Sequence, residues 1–165
     1  MRNYLLLSNL LFLIVTFSIG GYSYGQNVYH LSEQVNAQGE GSYSVERLSV
    51  GSVPTAVYGS SNTNSNAARL IINSESLSQV NAADENYSSV EIIILDMPSL
   101  ESFNNTSFPQ NILDYFPSLK YVFFNCSFEL CGSSGSLECE KQFISNFLNG
   151  SFEGISFLYR ADLPN

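Results

Sequence analysis

Short apolar runs at 69–73, 90–96, 119–125 and 155–160 alternate with segments carrying helix signals, which predicts an α/β fold: a short, largely parallel sheet with crossover helices. Three observations carry this reading. The runs are rich in Ile, Val, Phe and Tyr, the residues that pleated, packed strands favour. The stretches between them are longer than the tight turns antiparallel neighbours use, and they hold caps and breakers instead. The 165 residues, 44% hydrophobic and 13% charged, suffice for one compact core and not for two. A small open α/β sandwich is the alternative arrangement of the same elements.

Residues 1–25 read as a signal peptide. Arg2 gives a positive start, 5–19 is mostly apolar, and Ser23 and Gly25 occupy the −3 and −1 positions of a cleavage site before Gln26. The run is shorter than the roughly 20 apolar residues of a spanning helix, so no membrane association is expected after cleavage. Residues 26–66 form an N-terminal segment. Within it, 43–58, with Val45, Leu48, Val50, Val53 and Val57, reads as one or two short strands, and 59–66 (GSSNTNSN) as a polar linker.

Residues 67–165 form a repeat-like α/β domain. A short helical turn is expected within 74–83. Ser107-x-x-Gln110 resembles a capping box, with Pro109 in the first turn and Pro117 as the stop. Ser136 can cap a helix in which Phe143, Ile144, Phe147 and Leu148 share a face, and Gly150 suits its end.

A register of the form apolar-x-x-apolar-x-apolar recurs at Ala67, Leu70, Ile72; Val90, Ile93, Leu95; Leu119, Val122, Phe124; and Phe152, Ile155, Phe157, with starts 23, 29 and 33 residues apart. The segment 108–124, with Ile112, Leu113, Phe116-Pro117-Ser118-Leu119, Val122 and Phe124, resembles a leucine-rich repeat. The resemblance spans roughly 90–100 residues and is specific over about one repeat. It implies an arc whose outward strand face meets a protein or surface ligand. The polar position after each strand departs from that family's Asn or Cys, being Glu75, Pro98, Ser127 and Arg160.

Six Lys+Arg against fifteen Asp+Glu give a net charge of −9, which repels a phosphate backbone, so no nucleic-acid partner is expected. Loss of Arg2 with the signal peptide leaves five cations against fifteen acids, about −10. The lone histidine, His30, and three cysteines spaced C-x4-C-x7-C offer no recognisable metal or nucleophile motif, so neither metal, cofactor nor catalytic residue is assigned. An exported chain, secreted or periplasmic, meets an oxidising compartment. Cys131 and Cys139 flank the link 132–136 and are the favoured disulfide, the other two pairings staying open; Cys126 fits a buried run as a small hydrophobe. N-x-S/T sequons begin at Asn86, Asn104, Asn105, Asn125 and Asn149.

Alternation places Leu70, Ile72, Ile93, Leu95, Val122, Phe124, Ile155 and Phe157 toward the helices, leaving a second strand face. Strand by strand it holds Arg69, Ile71, Asn73; Ile92, Ile94, Asp96; Tyr121, Phe123, Asn125; and Ser156, Leu158, Arg160. Either 43–58 packs over its apolar centre, or the face is a binding surface with Ile92, Ile94, Tyr121, Phe123 and Leu158 at its centre and Arg69, Asp96, Asn125 and Arg160 at its rim. The sequence therefore reads as an exported, non-enzymatic binding domain of undefined partner and oligomeric state. The alternatives are a small secreted hydrolase built on Asp96 with Asp114, Glu91 or Glu101, and a purely structural secreted protein.

Overall fold

A computed structural model describes residues 27–34, 44–60, 66–80, 87–132, 136–148, 150 and 152–161. The expected signal peptide and most of the polar linker lie outside them. Among the described residues six strands form one all-parallel sheet: β1 (Val28–His30), β2 (Thr55–Val57), β3 (Arg69–Asn73), β4 (Ile92–Met97), β5 (Tyr121–Cys126) and β6 (Ser156–Ala161). Their spatial order is β1-β6-β5-β4-β3-β2. From β2 to β6 every step goes to the adjacent strand in one direction, whereas β1 to β2 runs back across the whole sheet.

Crossovers between parallel strands keep one hand, so steps in one direction place their helices on one face and the reverse step belongs on the other. The packing follows this rule. Leu77 of the 3₁₀ helix Ser74–Gln79 joins Phe103, Ile112 and Ile144, from α3 (Leu100–Asn104), α4 (Ile112–Tyr115) and α5 (Leu137–Leu148), in the core that takes Leu70, Ile93, Val122 and Phe157. Phe103 is its hub, with ring centroids 4.2 Å from Phe147 and 4.9 Å from Phe143. The reverse connection carries α1 (Leu31–Gln34) and α2 (Val45–Ser49), and these pack on the other face.

The four expected strands are present within two residues of their expected bounds, and Ser136 caps α5, its Oγ accepting from Cys139 N at 3.3 Å. Four expectations need correction. The segment 43–58 is a helix followed by one strand: Ser44 Oγ accepts from Arg47 N, and Val45 and Leu48, three apart, bury one helical face. Strand β1, at the start of the N-terminal segment 26–66 where no strand was expected, forms because β6 offers its open edge, pairing Val28 with Phe157. The helix expected from Ser107 is short. It begins after Asn111, while Gln110 Nε2 donates to Leu148 O at 3.1 Å instead of capping.

The last correction concerns the repeat register. Leu70, Ile93 and Val122 align with Phe157, and Ile72, Leu95 and Phe124 with Tyr159, so the fourth unit lies two residues later than the pattern gave. A shift of two keeps every side chain on its face. The deeper register lets the fully buried Tyr159 donate its hydroxyl to Leu137 O at 3.3 Å.

Candidate functional site

The outward residues of β3, β4 and β5 come together in the register read from the sequence, and those of β6 join them two residues later than that pattern gave. Arg69, Ile92, Tyr121 and Ser156 lie abreast, then Ile71, Ile94, Phe123 and Leu158, then Asn73, Asp96, Asn125 and Arg160 at the C-terminal ends of the strands. The apolar centre is not an open surface. Ile92 and Leu158 are 0% exposed, Phe123 2% and Tyr121 9%, packed with Ile94 against Val45 and Leu48 of α2 and flanked by Tyr29 and Leu31. A parallel sheet is ordinarily covered on both faces, and α2 supplies the second cover.

Arg69, expected at the rim, serves the cover instead. Its Nε donates to Leu48 O at 2.6 Å, and its Nη2 to Gly51 O at 2.7 Å and Arg47 O at 3.0 Å. The fork thus gathers carbonyls at the end of α2, where helical acceptors run out of partners. Burial holds its guanidinium below the usual arginine pKa. The chain turns tightly there: a Cβ on Gly51 would lie 2.8 Å from Arg47 Cα. Asn73 is also taken up locally, its Oδ1 accepting from Glu75 N at 3.0 Å to start the 3₁₀ helix.

What stays half-buried and polar is the trio Asp96, Asn125 and Arg160. Asn125 Nδ2 donates to Asp96 Oδ1 at 2.9 Å, and Asn125 Oδ1 accepts from Arg160 Nη2 at 3.1 Å. The Arg160 guanidinium also stands 5.9 Å from the centre of the Phe123 ring, within cation–π range. A carboxylate and a guanidinium are therefore bridged by one amide, which donates to the first and accepts from the second.

The trio lies where open α/β sheets place ligands. After β5 the chain passes to the layer of α5, and after β1 it passes to the opposite face, so the strand ends around β6 lie between diverging connections. Sequence reasoning missed this switch point because it missed β1. At that edge Glu33 accepts from His30 N at 2.9 Å and pairs with Lys141 of α5 at 3.1 Å, while His30 Nδ1 lies 2.7 Å from Ser32 Oγ. This reciprocal cap starts α1 and ties the first strand to α5.

The carboxylates considered as partners for Asp96 lie elsewhere. Glu91 is at the other end of β4, five residues and about 16 Å along the strand, and is ion-paired with Lys120 at 2.9 Å. Glu101 lines a groove beside α3 that does not include Asp96, and Asp114 is exposed on α4. Among the described residues no three His, Cys, Asp or Glu side chains are grouped to hold a metal ion, and no helix is long and apolar enough to cross a membrane. Cys131 and Cys139 form a disulfide joining the end of the β5 loop to α5. Cys126 is free and buried, and burial, with Glu140 adding, pushes its thiol up to about 12. Comparison with family models, with curated proteins and with solved structures finds no match for this chain.

Proposed function

We propose that the protein is an exported, non-enzymatic binding protein, a short leucine-rich-repeat-like arc that takes a protein or surface ligand at the C-terminal rim of its sheet through Asp96, Asn125 and Arg160. The carrying observation is the linked trio at the switch point, where a half-buried acid and base face the strand ends in register. The arc reading is supported by β3 to β6 lying side by side in chain order, with the row Leu70, Ile93, Val122, Phe157 in register beneath helices on one face. The disulfide is compatible with the oxidising compartment that export implies.

The test is retention of a species from the extracellular or periplasmic extract of the source by immobilised wild type, by Arg160→Ala, and by Glu153→Ala as an exposed control. The reading expects recovery to fall about tenfold for Arg160→Ala only; equal recovery on all three refutes it. Asp96→Asn, assayed beside wild type on glycoside and ester substrates, separates the hydrolase alternative: turnover that disappears with this change would replace the binding reading. Intact mass of the exported chain checks the cleavage, and a species retaining residues 1–25 contradicts it.

A further inference from the structure

A second surface, on the helical layer, carries ligand chemistry that the strand-end site does not use. The 3₁₀ helix Ser74–Gln79 and α3 bound an open groove of about 490 Å³. On its other side α3 borders, with α5, a depression of about 370 Å³. Thr106 lines both, so the two adjoin.

The first groove is walled by hydroxyls and carboxylates. Ser99, Ser102 and Thr106 are occupied internally: Ser99 Oγ accepts from Ser102 N at 3.1 Å and Thr106 Oγ1 donates to Ser102 O at 2.7 Å. By contrast, the side chains of Glu75, Ser78, Glu101, Asn105 and Ser107 line the same groove and make no hydrogen bond among the described residues. The second depression is aromatic. Phe143 and Phe147, half-buried and one helical turn apart, stand over Phe103, with Asn104 and Asn146 at the edge.

From this juxtaposition we infer that the two grooves together bind a neutral oligosaccharide. Phe143 and Phe147 meet the apolar C–H face of one pyranose ring, while Glu75, Glu101 and the amides of Asn104 and Asn105 engage the hydroxyls of the next. The chemistry selects this class. Among the described residues no cationic side chain lines either groove, and the chain carries −9, so an anionic ligand is repelled. A purely apolar ligand would cover the polar wall without satisfying it, which costs affinity. A polyhydroxylated ring satisfies both halves: carboxylate and amide accept and donate to adjacent hydroxyls, and the aromatic floor removes apolar area from water. The volumes lie in the usual range of small-molecule sites.

The inference does not depend on the strand-end reading, and its test separates the two. Protein made in a host without N-glycosylation, so that Asn104 and Asn105 carry no glycan, is titrated calorimetrically with neutral tetrasaccharides of β-1,4-glucose, β-1,3-glucose, β-1,4-xylose and α-1,4-glucose, and with spermidine. The expected result is saturable binding of at least one tetrasaccharide, weakened about tenfold by Phe147→Ala and about threefold by Glu101→Gln, and unchanged by Arg160→Ala. Because Phe147 also packs on Phe124, the exposed pair Asn104→Ala with Asn146→Ala repeats the test without touching the core and is expected to lower affinity similarly. Absence of binding by every tetrasaccharide overturns the inference. So does tetrasaccharide binding that survives these substitutions, or preference for spermidine over every sugar.

Discussion

Replacing Arg69 by methionine isolates the clamp on α2, because methionine keeps an apolar stem and deletes the fork. In the folded chain the guanidinium donates to three carbonyls at 2.6, 2.7 and 3.0 Å. A hydrogen bond to a charged group contributes about 1.5–3 kcal/mol. Opposing this is the cost of drawing a guanidinium out of water, the same cost that lowers its pKa. The net loss expected for Arg69→Met is about 2–4 kcal/mol, similar to the roughly 2–5 kcal/mol for emptying the Leu48 site with Leu48→Ala. Arg69→Lys recovers less than half, since one ammonium cannot reach three carbonyls in a plane. Urea denaturation gives the stability change, and hydrogen exchange of 44–51 shows whether α2 loosens first. Arg69→Met within about 0.5 kcal/mol of wild type, with exchange in 44–51 unchanged, would refute the clamp.

Other expectations concern covalent and titrating groups. Replacing Cys131 and Cys139 by serine opens a bridge with a sequence separation of 8; loop entropy gives a loss of about 2.5 kcal/mol, and a melting temperature that does not move contradicts it. Cys126 should react with a thiol reagent at pH 8 only as fast as the chain unfolds, so rapid native labelling refutes its protection. Because its folded value, about 12, exceeds the roughly 8.5 of an unfolded thiol, its contribution is complete below about pH 8.5 and declines as pH rises toward 12; Cys126→Ala should flatten that alkaline loss. At the acid end, the hydrogen bond from Lys141, then that from His30 N, holds the Glu33 carboxyl below its usual value, so its stabilising effect is present at neutral pH and disappears as pH falls through the folded value. Melting curves between pH 3 and 6 should show a smaller acid-side loss for Glu33→Gln than for wild type, and identical curves contradict the pairing.

The central strands were legible because their information is local. Ile92 to Asp96 and Tyr121 to Asn125 alternate so regularly that both faces, and the alignment of these two strands, followed from counting by two. The disulfide pair was legible from its flanking link. What could not be read is held by distant partners. Val28, Tyr29 and His30 carry too little pattern to announce a strand and become one by pairing with β6. Val45 and Leu48, three apart, suit a helix, but among further valines the stretch also passes for strand, and the Ser44 cap was the overlooked cue. Arg69 looked like a rim charge because the carbonyls it holds lie 18 to 22 residues earlier in the chain. Of the candidate site, Asp96 and Asn125 were legible as neighbours and Arg160 as a rim residue, whereas Arg160's place beside Asn125 required the register of β6, and the switch point required knowing where β1 lies.

Among the described residues the first strand in the chain is hydrogen-bonded to the last, Val28 beside Phe157. On a ribosome the earlier segment therefore emerges well before its template exists, and the sheet's last edge must wait for the rest of the polypeptide. Contacts joining such remote stretches form slowly, because their closure entropy comes before any compensating gain. Under the export proposed above, such late closure is useful: the chain stays passable to a translocon until β6 is available to β1.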